Sequence, residues 1–192
     1  ESTLRFHERF RYDIALFSPD SVFIVRPAAF SIRRLYQALG DEAVEDVSPV
    51  YIFPAVWKNP WGTDRRAIQS MGVDPEKNQF DTPGFAEGLP LLRQQDAVLF
   101  DAASRPEFGD IRGRFEADGI ITTEINNRTV KVVGLLEIGP SFGIDGTVMT
   151  SIDVSMPKAT RTAGNAPTKG PMIGTNSVRP AISAAATMAV SS

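Results

Sequence analysis

The clearest alternation of apolar and polar residues lies between Ala97 and Ser151. A short apolar run at 98–100, closed by Asp101, predicts a buried strand. Two runs rich in Ile, Val and Thr follow at 120–125 and 130–138, as is typical of strands. The connection at 126–129 starts with two asparagines, which tolerate the positive φ of a tight turn. The pattern therefore predicts a β-hairpin, with no nucleophile placed beside a base.

The earlier part of the chain carries shorter signals. Ser31 stands where a helix N-cap belongs, apolar residues follow at helical spacing from Ile32, and Gly40 ends the pattern, so we predict a helix here. Pro49 and Pro54 interrupt an apolar segment at 47–57, which predicts an edge strand or two short pieces. Further strand candidates lie at 14–17, 22–25 and 67–73, and short helical segments at 85–92 and 105–115.

The last 36 residues differ in composition from the rest. Pro, Gly, Ala, Ser and Thr dominate residues 157–192, aromatic residues are absent, and the one periodic signal is a possible helical turn at 184–190. We therefore expect a folded part at 1–156 and a low-complexity, irregular tail or linker at 157–192.

Composition and charge limit the class of protein. The chain has 192 residues with 42% hydrophobic content, enough for a core, and no apolar run of the roughly 18 residues that cross a bilayer. The N-terminus lacks a basic segment followed by an apolar one, so we expect that this sequence carries no export signal of its own, and the absence of cysteine excludes disulfides. The net charge is −3, and the four basic residues of the tail leave −7 on residues 1–156. An acidic body argues against nucleic acid as a partner.

Residues that could carry catalysis or bind a metal do not form a convincing set. His7 is the only histidine, and it has no partner at a metal-ligand spacing. The acidic pairs at 41–42 and 45–46 lack the alternating ligands and central glycine of a calcium loop. Neither a nucleophile elbow nor a phosphate-binding glycine motif occurs. We expect a protein that is not an enzyme and binds no cofactor.

The segment 53–61 is the best candidate for a partner contact. Trp57 and Trp61 lie near prolines, and two such large rigid side chains are strong anchors for a partner if they are exposed. The alternative is that one or both of them cap the core, where tryptophan is often found.

Several short motifs, in their order and spacing over roughly residues 11–151, resemble the DevC family, which contains permease subunits of cyanobacterial ABC exporters. More broadly they are similar to the extracytoplasmic domain of MacB-type permeases. These motifs are SIRRLYQA at 31–38, VSP at 47–49, WKNP at 57–60, VLFD at 98–101, SRPEFG at 104–109, KVVGL at 131–135, SF at 141–142 and DG at 145–146. Residues 157–192 do not look like the continuation of that family.

The resemblance implies an α+β fold, a mixed α/β periplasmic domain with one βαβ-type and one mostly β subdomain within 1–156. It implies a place on the periplasmic side of the inner membrane, as part of an integral membrane protein that forms a homodimer. The implied function couples ATP hydrolysis by a separate ABC ATPase to export, with glycolipid as a possible cargo, by docking a membrane-fusion adaptor that leads to an outer-membrane channel. The alternative is a carrier module that binds a lipid or lipoprotein in an apolar groove.

Overall fold

The computed structural model describes residues 9–21, 31–140, 143–152 and 183–190. Strands and short helices alternate, and the predicted α+β class is confirmed. The strands are β1 (Ile14–Leu16), β2 (Val44–Lys58), β3 (Arg65–Val73), β4 (Ala97–Asp101), β5 (Ile121–Ile125), β6 (Arg128–Leu136), β7 (Thr147–Ser151) and β8 (Ser183–Val190). The α-helices are α1 (Ile32–Ala38), α2 (Phe85–Gly88) and α3 (Ile111–Asp118), and 3-10 turns lie at Leu89–Arg93 and Pro106–Phe108.

All eight strands belong to one mixed sheet, in the order β1-β8-β2-β3-β7-β4-β6-β5. A further pairing joins β5 back to β2, through Trp57 opposite Ile125 and Lys58 opposite Glu124. The six strands from β2 to β5 therefore close into a ring, as in a small barrel, and β8 and β1 extend it along the first half of β2. Closure leaves the ring strands with few open edges.

The β5–β6 hairpin is confirmed, and its turn also closes the ring. Asn126 and Asn127 have φ angles of 50° and 64°, the left-handed conformation for which the asparagine pair was predicted. Asn126 donates its backbone N–H to the carbonyl of Val56 at 2.9 Å. Its Oδ1 accepts the N–H of Val56 at 2.8 Å. Asn126 thus binds both the N–H and the C=O of Val56, which have no strand beside them on this side of β2.

The prediction that the prolines confine 47–57 to an edge or to two pieces is wrong for the strand as a whole, because β2 is continuous over 15 residues. The physical reason is that β2 changes partners along its length. Pro49 faces β8 but precedes the pairing with β3, which starts at Tyr51. Pro54 pairs with Gln69 of β3 after the pairing with β8 has ended. Each proline therefore has one unpaired side, to which its missing N–H can point.

Buried apolar side chains form clusters on both surfaces of the ring. Since alternate residues of a strand point to opposite faces, Ile52 faces one way and Trp57 the other. The outer cluster combines Ile52, Met71 and Leu99 with residues of α2 and the following 3-10 turn. The inner cluster fills the ring and is closed at one end by Phe108, Ile111 and Phe115, and its strand residues are Ala55, Trp57, Ile68, Val98, Phe100, Ile121, Val130, Val132 and Val148.

The helix predicted after Ser31 is confirmed as α1, and the Ser31 hydroxyl accepts the N–H of Arg33. Its inward face is narrower than the spacing suggests, since Leu35 is buried whereas Ile32, Tyr36 and Leu39 are exposed. β1 and β2 both run antiparallel to β8 and so run parallel to each other, with α1 between them in the chain. This is the arrangement of a βαβ unit. The division of 1–156 into two subdomains stays a prediction.

The predicted helical segments at 85–92 and 105–115 are each split. Gly88 and Pro90 mark the change from α2 to the 3-10 turn Leu89–Arg93. Gly84 begins this segment with a φ of 80°, and a Cβ there would lie 2.1 Å from the carbonyl oxygen of Leu135. The second segment is the 3-10 turn Pro106–Phe108 followed by α3, whose N-cap Asp110 accepts the N–H of Gly113.

The prediction of a helical turn at 184–190 is wrong. These residues belong to β8, an extended strand that pairs with β1 and β2. Regular structure is therefore present within the predicted tail. The strand candidate at 22–25, His7 and residues 153–182 lie outside the described residues. Among the residues that the structure describes, no helix is long and apolar enough to cross a membrane.

We predict that Asn126→Ala lowers the free energy of unfolding by about 1–2 kcal/mol more than Asn127→Ala does, measured by urea denaturation. Both changes place alanine at a positive φ, and Asn127→Ala also removes the exposed bond from Arg65, so the difference compares the bond to Val56 with that surface bond. Asn126→Asp keeps the acceptor and should cost less than Asn126→Ala. Equal losses in the two alanine variants would show that the side chain of Asn126 does not stabilise the closure.

Candidate functional site

Trp57, one of the two predicted contact residues, lies inside the ring. Its side chain is 1% exposed, and its Nε1–H donates to the carbonyl of Phe108 at 3.0 Å. The indole and the Phe100 ring are tilted by 40° with centroids 5.0 Å apart. A partner cannot reach this side chain, so Trp57 is a core residue that connects β2 to the turn Pro106–Phe108. Of the two predicted contact residues, Trp61 is the one that a partner could touch.

Trp61 lies on the loop between β2 and β3, and its side chain is 48% exposed. Two contacts hold it. Its backbone N–H donates to Asn59 Oδ1 at 3.0 Å, and the Arg114 guanidinium carbon lies 5.7 Å from the centroid of the indole ring. The second distance is typical of a cation–π interaction, which limits the motion of an exposed ring. Trp61 is thus presented to solvent in a fixed position, and its contact role stays a prediction.

Gly109 allows the loop of Trp61 to approach the turn Pro106–Phe108. Its φ is 106°, and a Cβ on it would lie 2.9 Å from Asn59 Oδ1 and 3.2 Å from the Trp61 ring. A larger residue would be strained at this φ and would have to displace the side chain of Asn59, whose Oδ1 accepts the N–H of Trp61. The sequence motif that contains Gly109 therefore has a local structural reason: it keeps two loops together at the closed end of the ring.

A polar hollow of about 560 Å³ lies between the start of β3 and the turn that follows β4, and one of its lining residues is Asn59, which binds the N–H of Trp61. Arg65 is held on one wall by Glu124 Oε2 at 3.1 Å and by Asn127 Oδ1 at 2.8 Å. The hydrogen bond from Lys58 and the nearby arginine charge lower the pKa of Glu124, so it is ionised at neutral pH. The lining residues carry both signs of charge and are Asn59, Asp64, Arg65, Arg66, Pro106 and Glu107.

The carboxylate with the most unusual environment is Asp101, at the end of β4. It is fully buried and accepts three backbone N–H groups, from Ala103 at 3.1 Å and from Ile138 and Gly139 at 3.0 Å each. Burial raises the pKa of Asp101, and the three donors oppose that shift without cancelling it. Its contacts fasten the chain after β6 to the end of β4, which is a structural role.

The acidic pairs at 41–42 and 45–46 are exposed, and two of their members have local partners. Asp41 accepts the N–H of Ala43 at 3.0 Å, and Asp46 binds the ammonium group of Lys77. Within the described ranges, no three His, Cys, Asp or Glu side chains are grouped so that they could hold a metal ion.

A second cavity opens at the other end of the ring, where β4 and β6 begin. Its volume is about 220 Å³, and Asp96 and Arg128 form an ion pair at its rim. Its walls mix apolar and polar side chains: Phe53, Ser70, Val98, Ile125, Asn126, Val130 and Thr150. Pockets that enclose a ligand of drug size usually measure about 300–1,000 Å³. The cavity is too small for a lipid acyl chain.

Comparison with known proteins gives structural likeness only. No protein-family model matches the sequence, and no curated protein matches it. The periplasmic region of MacB from Actinobacillus actinomycetemcomitans is 8% identical, with 84% of this chain and 65% of that one covered and a TM-score of 0.45. A domain of a protein described as a permease, from Porphyromonas gingivalis, is 15% identical, with coverages of 81% and 66% and a TM-score of 0.47.

The extracellular domain of the noncanonic ABC-type transporter YknZ from Gram-positive bacteria is also similar. It is 11% identical, with coverages of 96% and 83% and a TM-score of 0.49. The chain thus spans about two thirds of the length of the first two structures, 65% and 66%. One of the three structures is thus a periplasmic region and another is the extracellular domain of an ABC-type transporter. At these identities and TM-scores they do not assign an activity to this chain.

We predict that replacing the two tryptophans affects stability to very different extents. Trp57→Ala should lower the free energy of unfolding by about 3–5 kcal/mol, because it leaves a cavity in the ring and removes the partner of the Phe108 carbonyl. Trp61→Ala should change it by no more than about 1 kcal/mol, since an exposed ring and one cation–π contact are lost. The free energies of unfolding of both variants should be measured by chemical denaturation. Similar losses would contradict the assignment of Trp57 to the core and Trp61 to the surface.

The raised pKa of Asp101 predicts that the stability of the domain depends on pH. Its folded-state pKa lies above the unfolded value, so the folded state binds this proton more tightly. Its contribution is therefore full below the unfolded pKa and is lost as pH rises through the folded pKa. We expect the stability of the wild type relative to Asp101→Asn to fall in urea denaturation as pH rises above the unfolded-state pKa of about 4. A difference that is constant or rises with pH would contradict this prediction.

Proposed function

We propose that this chain is the extracytoplasmic domain of an ABC transporter permease and that it docks a membrane-fusion adaptor through the surface around Trp61. In this proposal a separate cytoplasmic ATPase supplies the energy, and the domain transmits the motion to the adaptor and the outer-membrane channel. The permease works as a homodimer, with the domain on the periplasmic side of the inner membrane. The domain itself catalyses no reaction and needs no cofactor.

The observation that carries the docking proposal is the exposed, fixed ring of Trp61. Large aromatic side chains dominate binding energy at protein interfaces when they are held in place before binding, because little conformational entropy is then lost. Asn59 and Arg114 provide that restraint. The order of motifs in the sequence that resembles MacB-type permeases supports the class of partner. The proposal also covers the exported cargo, for which the same resemblance suggests a glycolipid.

The alternative of a lipid or lipoprotein carrier has less support. Carriage requires a concave apolar pocket that takes up an acyl chain, whereas the cavity at the open end of the ring measures about 220 Å³ and has an ion pair at its rim. The hollow beside Trp61 is larger, but four of its six lining residues are charged. Both features suit contact with a protein surface better than an acyl chain.

We predict that Trp61→Ala weakens binding of the adaptor of the same exporter by at least about tenfold, which corresponds to about 1.4 kcal/mol for the loss of an interface anchor. Binding should be measured with purified domain and adaptor by biolayer interferometry. Tyr36→Ala is the matched control, since Tyr36 is an aromatic residue that is 59% exposed on α1. Unchanged binding of Trp61→Ala, or equal losses in both variants, would reject docking at this surface.

A further inference from the structure

The cavity at the open end of the ring contains a buried hydroxyl group without a partner. Ser70 of β3 lines this cavity and is 2% exposed. It follows Ile68 of the inner cluster by two residues and therefore points to the inside of the ring, as Ile68 does. The Ser70 hydroxyl forms no hydrogen bond with any residue that the structure describes. A buried hydroxyl that lacks a hydrogen bond costs free energy, so this serine calls for a partner within the cavity.

The rest of the cavity wall is mostly apolar. One aromatic and three aliphatic side chains come from four different strands, and they are Phe53, Val98, Ile125 and Val130. Thr150, opposite Val98 in the sheet, brings a second hydroxyl group, which donates to the carbonyl of Ala97 at 3.4 Å. The oxygen of that hydroxyl group can still accept a hydrogen bond. The cavity therefore offers one free donor and two acceptor oxygens within apolar walls.

The charges beside the cavity lie at its rim and neutralise each other. Asp96 Oδ1 accepts from Nε of Arg128 at 2.7 Å and lies 2.5 Å from its Nη2. Among the described residues that line the cavity, these two are the only charged ones. An ionised ligand would lose hydration on entry without gaining an opposite charge in return, so the site favours a neutral molecule.

The volume sets an upper limit to the size of the ligand. An apolar cavity of about 150 Å³ is large enough to bind benzene. At about 220 Å³, the cavity of this ring has room for one six-membered ring with a hydroxyl group. The mouth of a β-barrel is also a frequent position for small-molecule sites, which are typically apolar with a few polar groups that fix the orientation of the ligand.

We propose that this cavity binds a small neutral molecule made of one ring and a hydroxyl group, of which phenol is the simplest aromatic example. The ring fills the space between Phe53 and the aliphatic side chains, and the hydroxyl group exchanges hydrogen bonds with Ser70. The inference goes beyond the proposed docking function and does not depend on it, since Trp61 lies at the opposite end of the ring.

Phenol and toluene together test the proposal, because they have similar size and only phenol has a hydroxyl group. Each is titrated into the full chain with labelled methyl groups, and the signals are followed by NMR. Phenol should shift the signals of Val98 and Val130 with a Kd of about 1 mM or lower. Val133, in the cluster on the outer surface, provides the reference signal and should not shift.

Ser70→Ala removes the hydroxyl group and keeps the cavity open. It should weaken phenol binding about fivefold or more and leave toluene binding unchanged. Since no hydrogen bond within the domain is lost, this variant should be no less stable than the wild type in chemical denaturation. Thr122→Ala is the matched control, because Thr122 is exposed on β5 and does not line the cavity, and it should bind phenol as the wild type does.

Three results would overturn the proposal. The first is that phenol leaves the lining methyl signals unshifted, in which case the cavity takes up water alone. The second is that phenol binds Ser70→Ala as tightly as it binds the wild type. The third is a loss of stability in Ser70→Ala, which would show that the hydroxyl group has a partner within the folded chain. Trp61→Ala should retain phenol binding, so a failure of the docking prediction is distinguishable from a failure of this one.

Discussion

The closure of the six-stranded ring depends on the bonds between Val56 and Asn126. β2 has its neighbours β8 and β3 over different parts of its length. Between Ile52, the last residue paired with β8, and Trp57, the first paired with β5, its backbone has no strand on one side. Val56 is exposed there, and the turn asparagine binds both its N–H and its C=O. This partner exchange is also what makes two prolines compatible with a continuous 15-residue strand.

Closure has a consequence for the surface at the end of the ring. Trp57 fills the interior and is bound to the carbonyl of Phe108, so the turn Pro106–Phe108 is anchored to β2 through the core. Gly109 then lets the loop of Trp61 lie against that turn. The exposed tryptophan and one wall of the hollow are therefore both connected to the core of the ring. A partner bound there meets a preformed surface, which limits the entropy lost on binding.

Local signals were enough for part of this structure. The Asn126–Asn127 turn, the Ser31 cap and the buried strand β4 follow from conformational preferences of a few neighbouring residues. β2 could not be predicted as one strand because its continuity depends on which distant strands lie beside each proline. β8 was missed because its alanine-rich sequence has low strand propensity, and its extended form is seen together with its pairing to β1 and β2.

The sequence could not tell which tryptophan is buried. Trp57 and Trp61 are four residues apart and both lie near prolines, but β2 ends at Lys58, so Trp57 is in a strand of the core and Trp61 is in an exposed loop. Arg114 had no sequence signal as a site residue, and Gly109 was noted only as part of the motif SRPEFG, because their contacts with Trp61 arise from loops that meet in space.

The two ends of the ring have different chemistry, and the difference bears on function. One end is closed by apolar side chains from α3 and the preceding turn, and it carries the exposed tryptophan and the charged hollow. The other end is open, yet its cavity holds too little volume for a lipid and has an ion pair at its rim. A carrier would concentrate apolar surface in a concave site, whereas here most apolar surface is used to close the ring and to cover it from outside. A rigid body with a polar, preformed contact surface is suited to transmit a force to a bound partner, since the displacement is not absorbed by deformation of the domain.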